Sequence, residues 1–192
     1  MVSHIYIYFS SFIIFTTVGF PLNLTLTDYH NPQANHFLDA EIVGDILITS
    51  AMVQGIEFYN ISDPGQLNHL TNFNLSSGGG GTKANCVRAQ GDYAYFTSSN
   101  GLYVVNISNP SNPQSLGAVS GTSNLNLENL DLYGDILVVA AHESGVKLFD
   151  ISNPSSPVIT ATIIANNAWT VVLSEGYLYI ADEDKILILN IT

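Results

Sequence analysis

The sequence predicts an all-β protein, a β-propeller of four-stranded antiparallel blades with about four blades in the chain. Three observations lead to this fold class. A short polar motif recurs at a nearly constant spacing, a glycine turn precedes each copy at a nearly constant distance, and short apolar runs lie between the two. No stretch has a sustained period of 3.6 residues, so we expect almost no helix.

The recurring motif is Asn-Ile-Ser-Asp-Pro at residues 60–64. It returns as Asn-Ile-Ser-Asn-Pro at 106–110 and as Asp-Ile-Ser-Asn-Pro at 150–154, and a shortened copy, Asn-Ile-Thr, stands at 190–192. The full copies are 46 and 44 residues apart. Because proline cannot donate a hydrogen bond to a strand ladder, we expect the motif to end a strand in each copy.

The glycine turns contain Gly44, Gly91, Gly134 and Gly176, which stand 14 to 16 residues before the motif copies. Two runs rich in Val, Ile, Tyr and Phe lie between turn and motif, separated by a short polar turn, and this pattern predicts a hairpin. The second run is apolar at consecutive positions, as at 186–189. A strand of this kind is covered on both faces, and blades stacked around an axis provide such cover.

A further short strand precedes each glycine turn, and another follows each proline motif. Each repeat then has four strands in about 43 residues, which is the period and strand content of a propeller blade. The predicted domain spans 20–192, and its repeats are about 38–80, 84–126, 127–166 and 168–192.

The strand and turn of the second and third repeats resemble the LVIVD repeat, a propeller repeat named for its third strand. The resemblance rests on Gly-Leu-Tyr-Val-Val-Asn-Ile-Ser-Asn-Pro at 101–110 and Gly-Val-Lys-Leu-Phe-Asp-Ile-Ser-Asn-Pro at 145–154, and it covers roughly residues 38–192. It implies a propeller fold and a place among proteins found largely outside the cell or at the cell surface. It implies no particular activity, since the family has no catalytic motif to carry over.

The N-terminal segment 21–28 has the leading proline and the β character of the predicted fourth strands, whereas the last repeat ends before its own fourth strand. We therefore expect 21–28 to pair beside the third strand of the last repeat and complete that blade, which removes an open sheet edge. Two alternatives stay open. Two chains could join as a homodimer into an eight-bladed ring, or the chain could be a fragment of a longer propeller.

Residues 5–20 are almost wholly apolar or hydroxylated. This run is shorter than the roughly 20 residues of a membrane span, and it suits the apolar core of a secretory signal peptide at residues 1–19. The usual basic start is missing, and a propeller strand or a membrane anchor are the alternatives. The signal peptide predicts a secreted or cell-surface protein without a membrane span in the mature chain.

The charge of the chain argues against one class of partner. Its 192 residues carry 16 Asp and Glu against 4 Lys and Arg, a formal net charge of −12. So few scattered cations cannot form the basic stripe that phosphate backbones require, and nucleic acid is not expected as a partner. The hydrophobic fraction of 46% is typical of a globular domain with a buried core.

Five glycosylation sequons occur in the sequence. Three of them contain the first residue of the recurring motif, at Asn60, Asn106 and Asn190. Asp150 replaces this Asn in the third copy, which indicates a side-chain oxygen that caps the turn rather than a sugar acceptor. Asn23 and Asn74 remain as glycosylation candidates.

No cofactor is predicted. The run Gly-Gly-Gly-Gly-Thr-Lys at 78–83 lacks the residue order and the following helix of a phosphate loop, so we interpret it as an inter-blade loop. The five histidines have no zinc-ligand spacing, and the one cysteine, Cys86, lies among apolar neighbours and is expected to be inert. Asp182, Glu183 and Asp184 form a weak Ca²⁺ candidate, but a solvated hairpin turn is the expected structure.

Charged residues recur at one position near the predicted channel. Three residues before each turn glycine stand Glu41, Arg88, Asp131 and Leu173. If this column faces the channel, one arginine lies among carboxylates. The column is then either a binding site or a set of ion pairs between neighbouring blades.

The loops at the same end of the propeller predict an amide-rich binding face. Its candidate residues are Asn85, Asn124, Asn126, Glu128, His142, Asn166, Asn167 and Trp169. Trp169 beside two asparagines has the composition of a sugar-stacking platform. A tryptophan at the start of a strand is more often part of a core, however, and the core is where we expect it.

The sequence as a whole predicts a non-enzymatic, exported or cell-surface repeat protein that binds a protein or glycan through its loops, with no catalytic residue. The alternative is a propeller hydrolase or lyase at the channel mouth, with Glu41, Asp131 or Glu128 as acid or base. A third interpretation is an incomplete copy of a larger surface protein without independent function. The fold cannot choose among them, because propellers carry many functions.

Overall fold

The computed structural model describes residues 27–29, 36–51, 55–75 and 83–191. In this part of the chain fifteen strands form four antiparallel sheets, and no helix occurs. Each sheet is one blade, and its strands lie side by side in chain order. The prediction of an all-β propeller of antiparallel blades is therefore confirmed, and none of these residues forms a helix that could cross a membrane.

Three of the blades have four strands. Blade 1 contains β1 (Phe37–Val43), β2 (Ile46–Ala51), β3 (Gly55–Asn60) and β4 (Asn68–Phe73). Blade 2 contains β5 (Cys86–Gln90), β6 (Tyr93–Ser98), β7 (Gly101–Asn106) and β8 (Gln114–Ala118). Blade 3 contains β9 (Leu130–Tyr133), β10 (Ile136–Ala140), β11 (Val146–Asp150) and β12 (Val158–Ile163). Blade 4 has three described strands, which are β13 (Ala168–Ser174), β14 (Tyr177–Asp182) and β15 (Lys185–Asn190).

A two-residue turn joins the first two strands of every blade. Gly44, Gly91 and Gly134 open this turn in blades 1 to 3, each with a φ of +58°, which costs glycine little because it has no Cβ. In blade 4 Glu175 opens the turn with a φ of +49°, and Gly176 comes second. The repeats therefore align through Glu175 and not through Gly176. The residue of β13 that corresponds to a given residue in the other blades is thus one position earlier in the chain than the sequence alignment indicates.

The recurring motif caps the turn after the third strand. The side-chain oxygens of Asn60 and Asn106 accept hydrogen bonds from the backbone N–H two residues later, at 3.0 and 2.9 Å. Asp150 makes the same bond at 2.8 Å, and this bond is the main reason why the pKa of its carboxyl is lowered. The predicted capping role of the motif residue is confirmed at these three positions.

Apolar clusters fill the space between successive blades. Large buried side chains on the two sides of each junction are Phe58 and Phe96, Tyr95 and Phe149, and Val146 and Ile180. Full burial of one such side chain stabilises a fold by roughly 1.5 to 3 kcal/mol. The inner strands of the middle blades are thus covered on both faces, as the consecutive apolar residues predict. The prediction is wrong for residues 186–189, because Ile186 and Ile188 on β15 are 72% and 62% exposed and only the opposite face packs against blade 3.

The described residues contain no corresponding cluster between blade 4 and blade 1. The predicted signal peptide 1–19 lies outside the described residues, and so does the predicted closing strand 21–28 except for residues 27–28, which are not in a strand. The Asp28 carboxylate accepts a hydrogen bond from Leu67 N of blade 1 at 2.8 Å. Closure of the ring by the N-terminal segment stays a prediction.

Gly145, just before β11, has a φ of +77°, and an added Cβ would collide with the backbone carbonyl oxygen of Ile163 on β12. We expect Gly145→Ala to lower the free energy of unfolding by about 2 to 4 kcal/mol, because backbone strain and the collision act together. Gly117→Ala is the matched control, since Gly117 has a φ of +91° and open space around its Cβ. Gly117→Ala should lower the free energy of unfolding by only about 1 kcal/mol. Urea unfolding measures both, and equal losses would contradict the steric argument.

Candidate functional site

The predicted channel column comes together in the structure. Glu41, Arg88 and Asp131 lie on the first strands of three successive blades. Arg88 Nη1 lies 2.8 Å from Asp39 Oδ2, and Arg88 Nε lies 3.7 Å from Asp131 Oδ1. One arginine therefore contacts carboxylates of the blades on either side, which is the arrangement of an inter-blade ion-pair set.

Two carboxyl groups of β1 near Arg88, those of Glu41 and Asp39, have pKa values shifted in opposite directions. Burial raises the pKa of Glu41, and the opposing charge of Arg88 does not fully offset this rise. Burial acts in the same direction on Asp39, but hydrogen bonds from Cys86 and Val87 and the charge of Arg88 together outweigh it, so the pKa of Asp39 is lowered. Asp39 is therefore the carboxylate that the fold stabilises in its ionised form.

The carboxylates of one first strand also hold the backbone of the next blade. Asp39 Oδ2 accepts a hydrogen bond from Val87 N at 3.1 Å, and Asp131 Oδ2 accepts one from Leu173 N at 2.7 Å. The side chain of Leu173 lies in the core between blades 3 and 4. Because the repeats align through Glu175, Val172 and not Leu173 stands three residues before the turn and continues the column.

Asn85 and Asn129 make similar bonds between blades. Asn85 Nδ2 donates to the carbonyl oxygen of Leu127 at 2.8 Å. Asn129 Oδ1 accepts a hydrogen bond from Val171 N at 3.1 Å. The predicted binding residue Asn85 thus contributes its amide to the junction of blades 2 and 3.

Cys86 lies at the centre of this network. Its side chain is buried, and Sγ donates to Asp39 Oδ2 at 2.9 Å. Burial, with the hydrogen bond to Asp39 and the charge of that group, raises the pKa of the thiol to about 12. A thiol of this kind carries almost no thiolate at neutral pH, which agrees with the expected inert cysteine.

A separate pocket brings the loop candidates together. It has a volume of about 450 Å³ and lies where loops of blades 2, 3 and 4 meet. The lining residues are Asn124, Asn126, Ala141, His142, Glu143, Ser144, Asn167 and Trp169. We call this cavity the loop pocket. Five of its lining residues belong to the amide-rich face that the sequence predicts.

The loop before blade 3 places Asn124 and Asn126 at the pocket. Leu127, the next residue, is buried, and its N–H donates to the carbonyl oxygen of Ser98 at 3.0 Å. Asn124 adopts a φ of +64°, a left-handed conformation that asparagine tolerates better than most residues. The two exposed amides are thus presented by a loop that is anchored to blades 2 and 3.

His142 joins blade 3 to blade 4 at the base of the loop pocket. Its backbone exchanges two hydrogen bonds with Ala168, each of 3.1 Å. Its Nδ1 lies 3.1 Å from Asn167 Oδ1. Nε2 lies 3.4 Å from Glu128 Oε2 without hydrogen-bond geometry, and this nitrogen is buried.

Trp169 lies at the rim of the loop pocket, and the expectation of a core tryptophan is wrong. Half of its surface, 50%, is exposed. The pairing of β13 with β14 shifts register between Ala168 and Thr170, and this bulge turns the side chain of Trp169 outward. The indole packs edge to face on His142, with ring centroids 4.6 Å apart.

Asp182 positions the loop beneath Trp169, a role that the sequence reasoning missed. Its carboxylate is buried, and Oδ1 accepts a hydrogen bond from Asn167 N at 2.7 Å. Asp182 occupies the strand-end position at which blades 1 to 3 have Ala51, Ser98 and Ala141. The sequence signal for this role is that Asp182 is acidic, whereas the other three repeats have a small residue at the same position.

The acidic turn at 182–184 is a hairpin turn between β14 and β15. Asp182 Oδ2 lies 3.2 Å from Lys185 Nζ, so the carboxylate has a cation and a backbone N–H as partners. Within the described ranges, no three His, Cys, Asp or Glu side chains form a group that could hold a metal ion. The segment is a hairpin turn as expected, but Asp182 is buried and not solvated.

A larger groove of about 910 Å³ lies between the outer strands β4 and β8. Its lining includes the predicted glycosylation candidate Asn74, which is exposed. Asn23, the other candidate, lies outside the described residues. The residues of the column and of the loop pocket do not line this groove.

Arg88→Met tests the column. We expect it to lower the free energy of unfolding at pH 7 by about 1 to 3 kcal/mol, because the ionised Asp39 loses its charged partner. Since the pKa of Asp39 is lowered in the fold, this contribution is present above its ordinary value of 3.8 and disappears as the pH falls below it. The difference from the wild-type protein should therefore shrink towards pH 3. Lys147→Met, which removes a cation that donates to Thr162, is the control. A pH-independent loss would contradict the ion-pair argument.

Several comparisons place the chain among known proteins. The family model of the LVIVD repeat matches residues 81–120, 126–163 and 165–191. A comparison with curated protein sequences finds no match. Many solved structures are similar in fold.

Three of these structures show the extent of the similarity. The computationally designed Ika4 protein has a TM-score of 0.66 and 14% identity, and the match covers 89% of this chain and 100% of that chain. The designed Ika8 protein has a TM-score of 0.58 and 15% identity, with 82% and 48% covered. Hsv2 of Kluyveromyces lactis has a TM-score of 0.55 and 18% identity, with 83% and 47% covered. The chain thus spans about half the length of the last two, and such low identities show the fold alone.

The sequence match and the structure agree on the same repeat unit. The three matched stretches together cover more than half of the chain, and they coincide with blades 2, 3 and 4. The chain therefore belongs to the LVIVD-repeat family and is built as a β-propeller repeat module.

Proposed function

We propose that this propeller module binds a glycan, and that a neutral sugar unit occupies the loop pocket. The observation that carries the proposal is the half-exposed indole of Trp169 beside side-chain amides. An exposed aromatic ring gives the apolar C–H face of a sugar a flat surface to stack on. The amides of Asn124, Asn126 and Asn167 supply donors and acceptors for its hydroxyl groups.

The size of the loop pocket supports a small ligand unit. Its volume of about 450 Å³ lies within the range of small-molecule sites. Its walls are held from below by the bonds of His142 to Ala168 and of Asp182 to Asn167. Such fixed walls reduce the entropy lost on binding, which favours a defined ligand over a loose surface contact.

The charges around the loop pocket support a neutral sugar. Glu143 lines the pocket, and the carboxylate of Glu128 lies beside His142. Neither lysine nor arginine is among the described lining residues. A carboxylate or sulfate on the ligand would therefore meet like charge and no cation, in a chain with a formal net charge of −12.

Hydrolysis is not the function that we propose for the channel mouth. The carboxylates of Glu41 and Asp131 lie beside Arg88, and Asp131 also accepts a backbone hydrogen bond from the next blade. Glu128 faces His142. Each of the three predicted acid or base candidates thus has a partner inside the fold, whereas binding at the loop pocket requires no such group to change its role.

We further propose that the module acts outside the cell, secreted or at its surface. The apolar run of residues 5–20 and the resemblance of the repeats to extracellular propellers support this proposal. A glycan ligand fits the same compartment, where sugar chains are displayed. A protein that binds the same loops is the alternative ligand that the sequence predicts, and the binding test distinguishes it from a glycan.

Trp169→Ala tests the glycan site. We expect wild-type protein to bind neutral glycans on an array, and we expect the variant to bind the best of them at least about tenfold more weakly by calorimetry, because stacking on the indole is lost. Folding should be little affected, since half of this side chain is already exposed.

Tyr133→Ala is the matched control, because Tyr133 is an aromatic residue with 61% exposure at the far end of β9 from the pocket. Its variant should bind as the wild type does. Retained affinity in Trp169→Ala, binding restricted to anionic glycans, or no glycan binding at all would each contradict the proposal. In the last case, a bound protein partner that is lost with Trp169→Ala would reassign the loop face to protein recognition.

A further inference from the structure

The outer face of blade 4 is apolar and open. Its side chains come from alternate positions of β13, β14 and β15, and the row Val172, Tyr179 and Ile188 crosses all three strands. These three are 49%, 38% and 62% exposed, and Ile186 on the same face is 72% exposed. We call this surface the trailing face of blade 4, because it points away from blade 3.

The trailing faces of the other blades show what this surface is suited for. The register of the third strands places Ile188 of blade 4 at the position of Phe58 in blade 1 and of Val104 in blade 2. Both of these residues are buried against the following blade. The trailing face of blade 4 therefore has the character of a packing surface, and large exposed apolar patches of this kind mark sites of association.

Blade 1 is poorly suited to cover this face, either in the same chain or in a second copy. Thr49 of β2 occupies the position at which blades 2 and 3 have Phe96 and Val139. Glu57 of β3 lies on the same side of blade 1, where its carboxylate accepts a hydrogen bond from Tyr59 and is already buried. Thr49 and Glu57 are both already buried, so this side of blade 1 is polar and offers little open surface for an apolar face to cover.

Charge favours a second copy at the trailing face itself. Two chains with a formal net charge of −12 repel each other over most of their surfaces. The trailing face positions of the described strands β13, β14 and β15 carry no charged side chain. Two copies that meet at this face bring no like charges together there and bury the apolar side chains of both.

We propose that two copies of this chain associate face to face through the trailing faces of their fourth blades. The interface is a two-fold one, in which the same patch serves both partners, and such isologous dimers are the commonest closed assemblies. The two sheets pack about 10 Å apart, as sheets do in a β-sandwich. The arrangement leaves the loop pocket of each copy at the end of its propeller.

The test is the mass of the full chain in solution over a range of concentrations, by light scattering and sedimentation. We expect a wild-type dimer, and we expect Ile186→Lys and Ile188→Lys to raise the dissociation constant of the dimer at least about 100-fold, because a lysine is then buried without a partner. Both side chains are largely exposed in the single copy, so the variants should fold, which circular dichroism verifies.

Two control variants separate this dimer from other assemblies. Ile164→Lys changes an isoleucine that is 91% exposed and lies after β12, and Ile42→Lys changes one that is 61% exposed on β1 of blade 1. Both should leave the dimer intact. A wild-type monomer at every concentration, a dimer unaffected by the two blade 4 variants, or a dimer lost with Ile42→Lys would overturn the proposal, the last in favour of a head-to-tail ring.

Discussion

Each blade of this protein is a sheet too small to cover its own two faces, and the fold depends on the neighbouring blades for that cover. The residues Phe58, Tyr95 and Val146 point towards the next blade and are buried there. The side chains on the opposite face, such as Phe96 and Phe149, are buried against the preceding blade. Stability is therefore a sum over junctions, and a blade that lacks one neighbour exposes one complete apolar face.

Apolar burial alone would allow neighbouring blades to slide, because it is not directional. The side chains of the first strands remove this freedom. Asp39 and Asp131 each accept a hydrogen bond from the backbone of the following blade, which fixes one register for each pair of blades. These carboxylates serve assembly, and so the polar side chains of the first strands are largely engaged in holding the blades together. The loops, which carry fewer such duties, are then the part of the molecule that is free to bind.

The sequence predicted the features that recur in every repeat. Strand pairing, the two-residue turns and the capping oxygens of Asn60, Asn106 and Asp150 all follow from local rules that act within a few residues. The position of Trp169 could not be predicted in this way, because its exposure results from a bulge in the pairing of β13 with β14. The pairing of β1 with β2 has a bulge at the equivalent residue, Leu38. The alignment of the fourth repeat failed for a related reason. Glu175 adopts the left-handed conformation that glycine provides elsewhere, and no sequence rule requires that exchange.

The candidate site lies where the repeats differ from one another. Trp169 stands at the position of Leu38 in blade 1 and of Asn85 in blade 2, when the repeats are aligned through their turns. Asp182 stands where the other blades have small residues, and it holds the loop that carries the indole. Residues that recur maintain the stack of blades, whereas residues that occur once are free to specialise. Because loops of three blades form the pocket, the complete pocket exists only when these blades are correctly stacked. A ligand that binds there must therefore also stabilise the stack, by mass action.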